Sequence, residues 1–182
     1  MREDLDLIRR ARAGDAAALD SLFAAHGGEM YRLACAMLGN PEDAEDALQE
    51  VFVRIVARLN RFDSGRPFQP WLRRIMVNEC LSRLRRRRKD PVVVADCPAA
   101  GSVPEPDGNP AEVIREVRRA LRLLPPKQRV AIVLVGFEGM GLEGAAEAMG
   151  CSVGAVKSHL HRARRKLKTE LEGLLPEEER QR

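Results

Sequence analysis

Apolar residues recur at helical spacing, three or four positions apart, along most of the chain. Ala44, Leu48, Val51, Ile55 and Leu59 fall on one face of such a helix. Similar patterns predict helices over residues 16–25, 68–88, 111–124 and 142–149, a helix ending near 38, another starting at 126, and a long last helix over 153–171. The pattern favours an all-helical chain.

The predicted helix ends carry residues of suitable local chemistry. Asp15 is suited to cap the helix of residues 16–25, and Gly39 is suited to stop the helix before it, because glycine adopts the left-handed conformation readily. Asn40 and Pro41 form the next start signal, and the acids that follow suit the positive end of a helix dipole.

One segment interrupts the helical pattern. Residues 90–110 contain five prolines and two glycines and have no basic residue. Proline removes backbone donors and breaks helices, so this segment is predicted to be an acidic linker. The chain then divides into a domain of residues 1–89 and a second of residues 111–175, followed by a charged tail.

Composition agrees with two small helical domains and indicates a polyanionic partner. Apolar residues make up 45% of the chain, charged residues 32% and aromatic residues only 4%. The net charge is +4, yet residues 1–60 lean acidic, while Arg83 to Lys89 and Lys157 to Lys168 are concentrated basic blocks. Such blocks suit nucleic acid.

Sequence signals of catalysis, metal binding and export are missing. The four cysteines are widely spaced, without a CxxC pair or clustered histidines, and are expected to be reduced thiols. No nucleophile elbow or phosphate loop is present, so we expect a non-enzyme without a cofactor. The start of the chain lacks a signal-peptide core and no apolar stretch reaches about 20 residues, which predicts a cytoplasmic protein without membrane insertion.

The last two predicted helices have the pattern of a helix-turn-helix. Ala146 is small where the two helices would touch, and Gly150 tolerates positive φ in the turn. The second helix would present polar and basic side chains to DNA phosphates and base edges, namely Ser152, Lys157, Ser158, His161, Arg162 and Arg165. The alternative is a solvated basic helix in an ordinary bundle.

The first basic block follows a group of aromatic residues. Phe62, Phe68 and Trp71 alternate with guanidinium and amide side chains, a mixture that suits unstacked single-stranded bases. Taken alone, Trp71 is more typical of a core residue, and the alternative for the basic block is a solvated helix end. The acidic helix has two interpretations as well: capping explains its first acids, whereas Glu50 lies beyond the first turn and suggests a surface for a basic protein.

Four segments, in order, resemble the signatures of bacterial RNA polymerase sigma factors of the extracytoplasmic-function (ECF) group. They are Asp43 to Phe52, Trp71 to Ile75 with Asn78, Leu124 to Arg129, and Val156 to Arg164. The resemblance spans about residue 5 to residue 171. It implies a sigma2 domain, which docks on the polymerase beta-prime clamp helices and melts the minus-ten element. It also implies a sigma4 domain, which reads the minus-thirty-five element and contacts the beta flap, and an anti-sigma factor as a further partner.

The resemblance also implies roles for individual residues. Polymerase binding falls to Asp43, Asp46, Gln49, Glu50 and Val53. Minus-ten DNA binding falls to Arg66, Phe68, Trp71, Arg73, Arg74, Asn78, Arg83, Arg85 and Arg86. Minus-thirty-five binding falls to Ser152, Val153, Gly154, Lys157, Ser158, His161, Arg162 and Arg165.

The chain departs from the family pattern at Ser82, Gly144, Ala155 and His159. These positions lie in or near the segments that would contact DNA, and the fold assignment does not depend on them. The main rival interpretation is a stand-alone helix-turn-helix regulator, for which residues 142–171 would suffice. That rival leaves the motifs of the first domain without a role.

Overall fold

The computed structural model describes residues 2–86 and 110–171, and every regular element within them is helical. The chain divides into two compact units, Met1–Pro98 and Ala99–Arg182. Residues 90–109 of the linker predicted over 90–110, the end of the basic block at 87–89 and the charged tail lie outside the described residues. Pro110, predicted to end the linker, instead begins a helix, since a proline at the first helical position loses no hydrogen bond.

Within residues 2–86, the first unit consists of four helices and one 3-10 turn. They are α1 (Arg2–Arg12), α2 (Ala16–Leu38), α3 (Pro41–Arg58), the 3-10 turn Leu59–Arg61 and α4 (Phe68–Arg86). Helix α2 packs against α1, α3 and α4, and fully buried side chains such as Leu22, Met30, Ile55 and Leu72 fill the core between them. The predicted all-helical fold is confirmed.

The predicted division between residue 25 and the helix ending near 38 was wrong, because α2 runs unbroken through Gly27 and Gly28. A side chain on Gly27 would begin 3.4 Å from the ring of Phe52 on α3. The glycine therefore allows close packing, and Phe23 stacks on Phe52 with ring centroids 4.1 Å apart. Tertiary contact outweighs the low helix propensity of glycine here.

The predicted caps of α2 and α3 are confirmed. The side chain of Asp15 accepts a hydrogen bond from the Ala18 amide at 3.1 Å. Gly39 ends α2 with φ of 72°, and Asn40 Oδ1 accepts from the Glu42 amide at 2.9 Å. These short-range bonds satisfy helix-end groups without help from distant parts of the chain.

The second unit consists of α5 (Pro110–Arg122), α6 (Pro126–Ile132), a π-helical turn (Val133–Phe137), α7 (Leu142–Met149) and α8 (Val153–Leu171). Buried Arg129 donates to the backbone carbonyls of Arg122 and Leu124, and Lys166 Nζ donates to the Leu123 carbonyl at 2.7 Å. Two cations thus cap the end of α5, where carbonyls lack helical partners.

Candidate nucleic-acid interface

Three aromatic rings of the first unit form one cluster. The Phe62 centroid lies 5.4 Å from that of Phe68 and 5.1 Å from that of Trp71, and Phe68 and Trp71 are 5.6 Å apart. Phe62 and Phe68 are each only 4% exposed, whereas Trp71 is half-buried. Phe68, predicted to contact DNA, is therefore a support beneath Trp71, and Trp71 is the ring of this cluster that reaches the surface.

Trp71 lines an open cleft of about 290 Å³ between the end of α3 and α4. Four arginines and one amide share this cleft with it: Arg54, Arg58, Arg61, Arg74 and Asn78. Its aromatic surface, cations and amide are the groups that hold unstacked bases and their phosphates. Sequence reasoning named Arg74 and Asn78 but missed the other three. Their spacing of four and three residues was the signal that could have placed them on one face.

Arg73 has a partner inside the protein. Its Nε lies 2.8 Å from Glu29 Oε1 on α2, and Gln69 Nε2 donates to the other Glu29 oxygen at 2.6 Å. Burial raises the pKa of Glu29, but the hydrogen bonds from Arg73 and Gln69 outweigh burial and bring this pKa below its ordinary value. Arg73 thus connects α4 to α2.

Arg83 also contacts acids of its own unit. Its Nε lies 2.7 Å from Glu79 Oε1 and its Nη1 lies 3.6 Å from Asp46 Oδ2 on α3. Other cations predicted to bind DNA are exposed on or near α4, namely Arg66, Arg74, Arg85 and Arg86. The predicted minus-ten set is therefore divided between side chains that join helices and side chains that face solvent.

Arg12 fixes the segment that joins the 3-10 turn to α4. Its guanidinium donates to the carbonyl of Leu59 at 2.9 and 3.0 Å, to the carbonyl of Phe62, and to Ser64 Oγ at 3.2 Å. These bonds cap the turn that carries Arg61 and hold Phe62 against the aromatic cluster. Sequence reasoning missed Arg12, which is 47 or more residues away from these partners.

The predicted polymerase-binding residues follow the outer face of α3. Asp46 is 67% exposed and Val53 66% exposed, while Gln49 is also exposed and Asp43 and Glu50 are half-buried. Val56, one turn after Val53, is 51% exposed. Acids beside exposed valines form a mixed surface of the kind that protein partners bury. We call Asp46, Gln49, Glu50, Val53 and Val56 the docking face.

The second unit contains the predicted helix-turn-helix. Gly150 adopts φ of 61° between α7 and α8, and its turn is closed by the Cys151 amide, which donates to the Ala146 carbonyl at 3.0 Å. Ala145, Ala146, Val156 and Leu160 are buried between the helices. This packing fixes which side of α8 faces solvent.

The exposed side of α8 carries most of the predicted minus-thirty-five residues. Ser152, Gly154, Lys157, His161, Arg162 and Arg165 are exposed, and Val153 and Ser158 are half-buried. Ser152 Oγ also accepts from the Ala155 amide at 3.2 Å, so it caps α8. The structure brings these residues together on one helix at spacing suited to a DNA groove.

His159 lies beside this surface. Its Nδ1 is buried without a hydrogen-bond partner in the described structure. Burial lowers the pKa of His159, and the nearby cations Lys127 and Arg162 lower it further, so the ring is neutral at neutral pH. Position 159 therefore adds no positive charge to the exposed side of α8.

The described residues contain neither a candidate metal cluster nor a candidate membrane span. Within residues 2–86 and 110–171, no group of three or more His, Cys, Asp or Glu side chains is placed to hold a metal ion. None of the described helices has the length and hydropathy needed to cross a membrane.

Comparison with known families matches both units. Residues 22–90 match the model of Sigma-70 region 2, and residues 114–167 match the model of Sigma-70, region 4. The chain is 36% identical to the ECF RNA polymerase sigma factor SigM of Mycobacterium tuberculosis over 91% of this chain and 83% of that protein. It is 30% identical to SigW of Bacillus subtilis over 92% of this chain and 96% of that protein.

Two solved structures have a fold similar to that of this chain. CnrH, solved in complex with the cytosolic domain of CnrY, matches with a TM-score of 0.66 and 31% identity over 94% of this chain and 98% of that chain. The sigma factor RpoE of Bartonella quintana, solved with the anti-sigma factor NepR, matches with a TM-score of 0.65 and 27% identity over 84% and 96%.

Sigma-70 region 2 followed by region 4 on two helical units defines the class of bacterial transcription initiation factors. Within that class, the chain belongs to the ECF group of RNA polymerase sigma factors. The resemblance seen in the sequence motifs is confirmed.

Proposed function

We propose that the two units of this ECF sigma factor divide promoter recognition, the first unit binding core polymerase and the minus-ten strand and the second binding the minus-thirty-five duplex. The observation that carries the proposal is the cleft in which Arg54, Arg58, Arg61 and Arg74 surround Trp71. A half-buried ring stacks on any unstacked base, and the surrounding cations neutralise the strand. Binding of opened bases offsets the cost of unstacking them.

The docking face of α3 is the proposed contact with the polymerase clamp helices. Its acids attract a basic partner, and Val53 and Val56 supply apolar area that is exposed in the free protein. The apolar stripe on the opposite side of α3, which includes Val51 and Ile55, is buried in the first unit. The helix can therefore dock without unfolding.

In the second unit, α8 is the proposed reader of the minus-thirty-five duplex. Lys157 and Arg165 lie eight residues apart, a little over two helical turns, with His161 between them. Cations at the flanks suit phosphates, and side chains between them reach base edges.

Two further statements belong to this proposal. The protein acts in the cytoplasm, and polymerase carries out the chemistry while the sigma factor itself catalyses no reaction. An anti-sigma factor is a further partner, supported by the structure of the relative RpoE with the anti-sigma factor NepR.

Transcription with purified core polymerase tests the proposal. The protein, core polymerase and random promoter pools are combined, and transcript starts are sequenced. We expect starts at a defined pair of upstream elements only when both proteins are present. Promoter binding that is equally specific without core polymerase would favour the stand-alone regulator instead.

A paired variant tests the docking face. Asp46→Arg combined with Gln49→Ala is expected to abolish holoenzyme assembly, because a reversed charge inside a complementary interface costs several kcal/mol. Asp20→Arg, a reversal of an exposed acid on α2, is the matched control and should assemble normally. Normal assembly of the paired variant would remove α3 as the docking element.

A further inference from the structure

A buried carboxylate lies between the docking face and the Trp71 cleft. Glu79 on α4 is only 2% exposed. Its Oε2 lies 2.7 Å from Arg54 Nη1 on α3, which makes an ion pair without hydrogen-bond geometry, and its Oε1 accepts a hydrogen bond from Arg83 Nε on α4 at 2.7 Å. A carboxylate at this depth is tolerated because guanidinium groups compensate its charge.

Each of the two arginines contacts a second acid, and both of these acids lie on the docking face. Arg54 Nε lies 3.1 Å from Glu50 Oε1, and Arg83 Nη1 lies 3.6 Å from Asp46 Oδ2. The charges therefore alternate from Glu50 through Arg54, Glu79 and Arg83 to Asp46. Arg54 also lines the Trp71 cleft, so one end of this chain of charges reaches the proposed DNA site.

We propose that Glu79 is a positioning residue for promoter recognition, whose buried carboxylate fixes Arg54 at the Trp71 cleft. The assignment rests on the proposed function of that cleft. Arg54 has a long, flexible side chain that loses conformational entropy when DNA binds it. Because two carboxylates already hold its guanidinium before DNA arrives, less entropy is lost on binding. Arg83 contacts both Glu79 and Asp46 of α3. It therefore holds the Glu79 carboxylate in place.

Arg58 supplies the matched comparison. It lines the same cleft and is exposed, and no ion pair is found for it among the described residues. Arg54 and Arg58 lie one helical turn apart, so both can meet the same strand. Only Arg54 touches Glu79, which means that loss of Glu79 should affect these two arginines differently.

The test is a double-mutant cycle in reconstituted holoenzyme at saturating core polymerase. A fluorescent fork-junction DNA with a single-stranded minus-ten element is the probe. Glu79→Gln, Arg54→Ala, Arg58→Ala and the two double variants are titrated with it. We expect Glu79→Gln and Arg54→Ala each to weaken binding about fivefold, with the double variant little worse than either. For Glu79→Gln and Arg58→Ala, the two fold-changes in Kd should instead multiply in the double variant, to within about twofold.

Arg54→Lys gives a second readout that leaves the buried carboxylate in place and covers the case in which Glu79→Gln fails to fold. Lysine keeps the charge but has one nitrogen, so it cannot bridge Glu50 and Glu79 as Arg54 does. We expect Arg54→Lys to bind the fork DNA nearly as weakly as Arg54→Ala. Full binding by the lysine variant would show that charge alone suffices and would overturn the positioning role.

The outcomes separate the two proposals. Suppose that Arg54→Ala and Arg58→Ala both weaken binding, and that the effect of Glu79→Gln on Kd multiplies with the effect of each arginine variant. The positioning role is then wrong and the proposed function stands. If neither arginine variant changes the affinity for fork DNA, the cleft is not the minus-ten site, and both proposals fail.

Discussion

Arginine side chains have two different roles in this chain. Arg12, Arg73 and Arg129 donate to groups within their own units, where they cap helix ends or join helices. Arg74 and Arg162 are exposed and have no such role in the described structure. The guanidinium fork suits both roles because it offers several donors in one plane. Substitution of the first group should therefore affect folding.

Because Arg73 pairs with Glu29, we expect the stability of the first unit to depend on pH. The pKa of Glu29 in the folded state lies below its ordinary value of 4.5. A lowered pKa stabilises the folded state above the ordinary value, and that contribution is lost as the pH falls through the folded-state pKa. We expect wild type to melt at a higher temperature than Glu29→Gln at about pH 7, with the difference shrinking below about pH 4.5. Thermal melts across this range check it, and a constant difference would contradict it.

Two residues of α8 should have different effects on DNA binding. Lys157→Ala is expected to weaken binding to all upstream sequences alike and to flatten the salt dependence by about one phosphate contact. Arg162→Ala should cost about 1–3 kcal/mol on the preferred minus-thirty-five sequence and little on others, if it pairs with a guanine. Holoenzyme binding over a salt series, on a library varied in the upstream element, measures both. An unchanged sequence ranking for Arg162→Ala would move base reading to Ser152 or His161.

Helix α3 contributes residues to the core, to the docking face and to the Trp71 cleft. Its inner stripe, including Val51 and Ile55, is buried in the core. Its outer side carries Asp46 and Val53 of the docking face, and its last turn carries Arg58 to the cleft. Because a helix turns about 100° per residue, neighbouring positions face different partners.

Helix α7 is weakened by a glycine in its interior. Replacing Gly144 with alanine should stabilise the helix by less than about 1 kcal/mol, the usual difference in propensity. The gain is reduced because the new Cβ would lie 3.1 Å from Met140 Cγ, a flexible side chain that must move. Chemical denaturation of the full chain measures the effect.

Gly150 provides the control for this prediction. It adopts φ of 61°, a conformation that strains residues with a Cβ, so Gly150→Ala should destabilise the second unit. If Gly144→Ala also destabilises the protein, Met140 does not move away from the new methyl group. The steric clash then costs more free energy than the higher helix propensity of alanine contributes.

At the scale of the whole molecule, the chain forms two compact units. We predict that limited proteolysis cuts first between residues 98 and 110, because a segment rich in proline and acids has no core of its own. Two helical fragments should remain, and mass spectrometry identifies the cut sites. A first cut inside α3 or α8 would contradict the division into domains of residues 1–89 and 111–175.

The sequence by itself determined the helical class, the family and the helix ends that depend on neighbouring residues. Asp15, Asn40 and Gly150 act through bonds or backbone angles within a few positions of themselves, so their chemistry is visible in the local sequence. The family motifs are likewise contiguous stretches, and their order along the chain was enough to identify the group.

Only the tertiary structure decided which polar and aromatic residues face solvent. Phe68 is buried beneath Trp71, and Arg73 meets Glu29 from 44 positions away. The cleft likewise brings Arg54 and Arg58 of α3 beside residues of α4. Helical periodicity gives the face of each helix but not the element that packs against it, because such contacts depend on how distant segments meet.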